Sequence, residues 1–255
     1  MSAADIATLE SRARERYSDA EWQTRTDLAA CYRLIDHFGY SDIVWNHITA
    51  RVAGHDEYFL INRMGLRYDE ITASNLVKLD IEGNVIDGPD EVNVTGFIIH
   101  SAIHRKRPDI VCVLHTHTRG GLGVSALKCG LQPMVQDALM FHKRIAYHDY
   151  EGFSIDIDER ERLAASLGDK YAMIMRNHGL LTAGRTIGEA FMLMYYLERA
   201  CTIQMDVMAT QQKISLPEEA MLAHVAEQYQ QFCPGKYEWP ALVRLMDKKD
   251  PSYRE

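Results

Sequence analysis

The segment at residues 110–121, IVCVLHTHTRGG, constrains the fold more than any other stretch of the chain. An apolar run following the breaker Pro108 reads as a buried strand, and Gly120 and Gly121 mark its exit. Between them stand His115 and His117. At positions i and i+2 of a strand both imidazoles leave by the same face, with Cα atoms about 6.6 Å apart at about 3.3 Å per residue. Two nitrogens bound to one tetrahedral zinc, each about 2.05 Å from it, stand about 3.3 Å apart. Side chains leaning together can close that gap. HxH alone is a weak signal, because two surface histidines produce it by chance. His178, in MIMRNHGLLTAG, strengthens it: it too sits where an apolar strand meets a glycine, and its flanks are too apolar for a casual surface residue. Three neutral imidazoles brought together from two strand ends would leave the full double charge on a metal and at least one coordination position open. That is the pattern of a catalytic site and not of a closed structural one.

The rest of the pattern supplies a scaffold. Residues 19–40 carry Trp22, Leu28, Ala29, Tyr32, Ile35 and Phe38 at helical spacing, with Gly39 as C-terminal cap. HITARV and YFLIN read as short strands around the turn AGHDE, and VKLDIEGNVID as a hairpin around Glu82, Gly83 and Asn84. TGFIIHSAIHRKR is helical in pattern. YAMIMRNHG is a further strand, followed by a long helix that Thr186 and Glu189 open with a capping box. Irregular alternation with hairpins predicts a mixed α/β layer structure and not a purely parallel sheet. No repeat or Pro/Gly/Ser linker divides the chain. The expected organisation is an N-terminal extension over 1–20, one domain over 21–212, and a segment over 213–255 packed on the domain or on a neighbouring subunit.

A net charge of −8 with scattered Lys and Arg argues against nucleic acid or an anionic membrane as partner. The five cysteines are far apart and form no CxxC pair, which reads as reduced thiols. The N-terminus lacks the apolar stretch of a signal peptide, and no window of about 18 apolar residues could span a bilayer; a cytoplasmic location is expected. No GxGxxG, Walker loop or GxSxG elbow supports nucleotide cofactors or serine hydrolysis. Among the other histidines, His100 and His104 stand at i and i+4 of one helix and could chelate by themselves, but without the Glu of HExxH a packing role is favoured. His142 and His148 read as packed residues, and His37, His55 and His224 as surface ones.

The segments NHITAR, FLINRMGLRYDEITASNLVKLD, IHSAIHRKRPDIVCVLHTHT and RNHGLLTAGRTIGEAF, in this order, resemble the class II aldolase and adducin superfamily. The resemblance implies a single three-layer α/β/α domain around a mostly antiparallel sheet. It implies a divalent metal, most simply Zn2+ with Fe2+, Mn2+ or Co2+ as alternatives, held by His115, His117 and His178. It further implies a homotetramer with sites between subunits, which Tyr229 or Tyr237 of the C-terminal segment could complete. Departures narrow this. Sugar-phosphate aldolases of the family carry a metal-ligating acid/base Glu four residues before the position of His100; here that position is Gly96. Their phosphate-loop GN and TG pairs become Asn46-His47 and Met64-Gly65. Substrate contacts are therefore expected from His47, Gly65, Thr95 and Gly96, with a phosphorylated sugar disfavoured. The function expected is a metal-dependent lyase of aldolase or decarboxylase type, acting on a small oxygen-rich carbonyl compound through a metal-stabilised enolate. His142 or Tyr147 would carry the proton in place of the Glu. The alternatives are a non-haem iron oxygenase on the same fold and a non-catalytic adducin-like assembly domain.

Overall fold

The computed structural model describes residues 15–89, 91–152 and 159–255. Its strands in chain order are β1 (His47–Arg51), β2 (Tyr58–Ile61), β3 (Val77–Asp80), β4 (Val85–Asp87), β5 (Cys112–Thr116), β6 (Ile145–His148), β7 (Ala172–Met175) and β8 (Gly179–Gly184). The helices are α1 (Asp19–His37), α2 (Val94–Lys106), α3 (Arg119–Ser125), α4 (Gln136–Leu139), α5 (Glu159–Leu167), α6 (Ile187–Ala209), α7 (Glu219–Gln230) and α8 (Glu238–Lys249). Among the described residues the strands form one sheet in the order β4-β3-β2-β1-β5-β8-β7-β6. Every neighbouring pair is antiparallel except β6 with β7.

Strand periodicity divides the core into two layers. Ile48, Ala50, Cys112, Leu114, Ile174 and Leu180 face α1 and α6, where they meet Leu28, Tyr32, Ile35, Phe191 and Leu197. Val113, Met173, Met175, Leu181 and Ala183 face the other way and meet Ile99, Ala102 and Ile103 of α2 and Leu163 and Leu167 of α5. The architecture is thus α/β/α around a mostly antiparallel sheet, as expected. β5 is buried on both faces, which explains why its sequence is a continuous apolar run instead of an alternating one.

The local signals work mostly as read. Gly39 follows the end of α1 at φ +72, the left-handed geometry that glycine adopts without cost, and Ser18, which was not read from the sequence, caps its start by accepting from Glu21 N at 3.1 Å. β3 and β4 form the expected hairpin, with Gly83 at φ +98. The capping box of α6 is only half formed. Thr186 accepts from Glu189 N, but the Glu189 carboxylate bonds Arg185 N and the Arg185 guanidinium. An available guanidinium one residue upstream draws it away from its expected partner. Beyond residue 212 the chain packs back on the sheet domain: Trp239 lies 6.1 Å from Phe191 between ring centres, and Arg33 of α1 pairs with Asp250 at 2.8 Å. Among the described residues no helix is long and apolar enough to cross a membrane.

Candidate metal centre

Two strand alignments bring the histidines together. In the β1–β5 pair His47 lies opposite His115, and in the β5–β8 pair Thr116 lies opposite Leu180. The tight connection from β7 to β8, with Asn177 at φ +57, therefore places His178 over the end of β5. Gly179 is needed there, because a Cβ on it would collide with the Thr116 carbonyl. The His115 ring centre stands 4.7 Å from that of His117 and 4.8 Å from that of His178, and one nitrogen from each of the three lies within 4.8 Å of the others.

Hydrogen bonds at the far nitrogens decide what the near ones can do. His115 Nδ1 faces the Leu180 carbonyl at 2.8 Å and His117 Nδ1 faces the Asp42 carboxylate at 2.9 Å. Both partners only accept, so each Nδ1 carries a proton, and in the neutral ring that ligates a metal each Nε2 is a bare lone pair. Those two Nε2 atoms are 2.9 Å apart. Two lone pairs at that distance repel until a cation stands between them, so the donor set fits a metal ion. Burial pushes His115 well below the ordinary imidazole range and His178 down to about 4, which keeps their rings neutral and able to ligate. The carboxylate behind a ligating imidazole is a common support for such ligands.

The segment after the ligands is fixed by one buried carboxylate. Glu198 of α6 accepts from Thr118 Oγ1, from Gly120 N at 2.9 Å, from Gly121 N at 2.8 Å and from Thr202 Oγ1 at 3.0 Å. This answers why two glycines follow HTHT. A Cβ at 120 would strike Thr202 and the Glu198 carboxylate, and one at 121 would come within 2.5 Å of Leu180 Cγ. Asn46 adds a further tie, accepting from His117 N at 3.1 Å while donating to the Tyr40 carbonyl at 2.7 Å.

The class II aldolase and adducin N-terminal domain family matches residues 26–205. A solved aldolase II superfamily protein from Pseudomonas syringae superposes with a TM-score of 0.91 at 46% identity, over 95% of this chain and 99% of that one. This chain belongs to the class II aldolase and adducin family. Within that family, L-fuculose 1-phosphate aldolase from Glaciozyma antarctica superposes with a TM-score of 0.83 at 28% identity, covering 94% of this chain and 96% of its own. Alpha-adducin of Rattus norvegicus is 44% identical over 198 residues, 76% of this chain but 27% of the adducin.

The structure sorts the residues expected at a class II aldolase site. His47 joins the cluster, its ring centre 4.9 Å from that of His115. Gly96 lies against it: a Cβ there would stand 2.8 Å from His47 Cγ, so the His47 ring fills the space that a side chain at 96 would need. Gly65 occupies a turn at φ +89 with open space where a Cβ would stand. The Thr95 side chain lies outside the described residues. The two proton-carrier candidates are not brought to the cluster. His142 sits before the start of β6, with Nε2 3.7 Å from Glu219 Oε1. Because β6 runs parallel to β7, Ile145 pairs with Ala172, at the end of the sheet away from His178. Tyr147 accepts a hydrogen bond from Leu131 N at 3.0 Å beneath the Arg176 guanidinium, a packing role. Tyr229 reaches Gln136 O and Tyr237 is exposed. Sequence reading missed Asp42, Thr49 and Glu198, and named Asn46 only as a departure in a phosphate loop. Only Asp42 and Asn46 left a trace, as polar residues in the loop entering β1, and that trace acquires meaning once β1 is known to lie beside β5.

Proposed function

We propose that this protein is a metal-dependent lyase of the class II aldolase type. Family membership and the likeness to a fuculose-phosphate aldolase support aldolase-type lyase chemistry at the coarse level. The observation that carries the finer reading is the pair of bare Nε2 atoms at 2.9 Å, each fixed by an acceptor behind it, with His178 adjacent. His115, His117 and His178 would hold a divalent ion such as Zn2+. When bound, the ion supplies charge to polarise a carbonyl and to stabilise the negative charge left by bond cleavage. Asp42 and the Leu180 carbonyl hold the ligating rings in one tautomer. His47, packed where the family's Glu would reach, lies beside any molecule on the open face. The substrate class inferred is a small hydroxy-carbonyl compound, such as a 2-keto-3-hydroxy acid, able to approach the ion through adjacent oxygens.

Two arms test this. Protein purified without oxygen contains about one equivalent of divalent metal per chain, and His115→Ala and His178→Ala lose it while keeping the far-ultraviolet circular dichroism of the parent. Full occupancy in both variants would sink the site. Release of a carbonyl product from 2-keto-3-hydroxy acids by the metal-loaded protein tests the reaction, and inactivity across a panel of such acids would favour a non-catalytic assembly role. The 44% identity to α-adducin supports that second reading. We infer also that a neighbouring subunit completes the site, because Ile43 and Trp45, beside Asp42 and Asn46, and Tyr150, whose ring centre lies 6.4 Å from that of His178, are exposed apolar side chains. Light scattering should show an oligomer that Trp45→Lys weakens; a monomer would refute the shared site.

A further inference from the structure

Four buried polar side chains form a line from the cluster into the layer between β1 and α2. His47, Thr49 and Arg51 share the face of β1 that meets α2, and His100 and His104 present one helical stripe to it. His47 Nδ1 is 2.8 Å from His100 Nε2, His100 Nδ1 is 2.8 Å from Thr49 Oγ1, and Thr49 Oγ1 is 2.8 Å from His104 Nε2. The line is closed to water, with none of the four more than 2% exposed. Burial holds all three imidazoles far below their ordinary pKa, so each carries one N–H.

The hydrogens can then be counted. Three neutral imidazoles and one hydroxyl bring four N–H or O–H hydrogens. The three links consume three, and the fourth stands on His104 Nδ1, on His47 Nε2, or on Thr49 Oγ1 when that oxygen accepts from both rings. Of these three arrangements only the first puts a hydrogen on His104 Nδ1. The inner end chooses between them. His104 Nε2 is engaged by Thr49, its Nδ1 is buried without a well-formed hydrogen bond, and the Ile110 carbonyl favours a proton on this ring. A bare Nδ1 there would set lone pair against lone pair in a dry layer, which costs more than a long N–H contact.

We propose that Thr49, His100 and His104 act as positioning residues that lock His47 as the Nδ1–H tautomer, leaving its Nε2 as a hydrogen-bond acceptor beside the three-histidine cluster. His104 Nδ1–H points to Ile110, Thr49 donates to His104, His100 donates to Thr49, and His47 donates to His100. No proton is gained or lost; only the direction of the line is set. A ligand group meeting His47 Nε2 must therefore be a donor, such as a hydroxyl. That consequence rests on the metal-site reading above, whereas the tautomer does not.

The test is 15N spectroscopy of histidine-labelled protein as purified, with His47 assigned by the signals lost in His47→Gln. The expected result is a protonated Nδ1 and an unprotonated Nε2 on His47. Thr49→Val, which keeps the shape and removes the hydroxyl, should populate the Nε2–H form, and Thr49→Ser should restore the parent tautomer. Nε2–H in the parent, or an unchanged tautomer in Thr49→Val, overturns the inference. Neutron diffraction of the parent reads the same hydrogen without any variant. Metal content is measured on the same sample: an ion-free protein with the expected tautomer refutes the metal reading and keeps this one.

Discussion

At the open end of β5, His115 and His117 give their Nδ1 hydrogens to fixed acceptors, the Leu180 carbonyl and the Asp42 carboxylate, and keep Nε2 bare. A few ångströms away, His47, His100 and His104 use their nitrogens on one another and on Thr49. Residue type and layer are shared between the two groups, although His117 is only partly buried. What differs is the partner. A carbonyl or carboxylate behind an imidazole prepares it for a cation, whereas another imidazole or a hydroxyl ties it into a closed polar seam. The lesson is that a histidine's role here is read from the group behind it and not from its spacing, since His100 and His104 have a chelating spacing but turn their facing nitrogens to Thr49 Oγ1.

That contrast can be broken at its clamps. The largest effect is expected from Asp42→Ala, which frees His117 to adopt either tautomer. Removing such an outer partner typically lowers metal affinity about 10- to 100-fold, and a competition titration with a zinc chelator would measure it. An affinity within twofold of the parent would mean that the carboxylate does not hold the ligand. A smaller effect is expected on acidification. His104 is held at about 3 by burial and by the nearby Arg51 guanidinium, while in the unfolded chain it titrates near the ordinary value of about 6.5. The unfolded state therefore binds more protons between those values, and stability falls as pH drops through about 6.5 toward 3. At pH 5 the loss is about 2 kcal/mol for this one histidine. Urea midpoints between pH 7 and pH 5 should fall accordingly, and less steeply in His104→Gln. The smallest effect belongs to Tyr147→Phe: one hydrogen bond to Leu131 N is lost, about 1 kcal/mol, with metal content unchanged. Loss of metal in that variant would show that the cluster extends across β6.

Much of this was legible from local pattern. The strand ending in His115 and His117, the turn at Gly39 and the hairpin at Gly83 all follow from chemistry within a few residues of sequence. The candidate metal trio was legible for the same reason, because each histidine stands where an apolar strand meets glycine. Strand pairing was not. Nothing near His47 announces that it lies opposite His115, nor that Thr49 would meet a helix some 50 residues later. His142 shows the converse: its neighbours Phe141 and Lys143 suggested a packed residue, and the parallel pairing of β6 with β7 puts it, within one chain, at the end of the sheet away from His178. Gly96 shows how the two scales meet. From sequence it is a missing carboxylate; in the fold it is the vacancy that an imbedded imidazole occupies.

The Glu198 carboxylate gathers Thr118, Gly120, Gly121 and Thr202 onto the middle of α6, immediately beyond the last of the HTH residues. The long helix and the ligand-bearing strand are in this way stapled into a single rigid part. Displacing either one without the other would tear several charge-assisted contacts at once, so the geometry of the imidazole trio is set by the seat of a helix whose length extends well away from it.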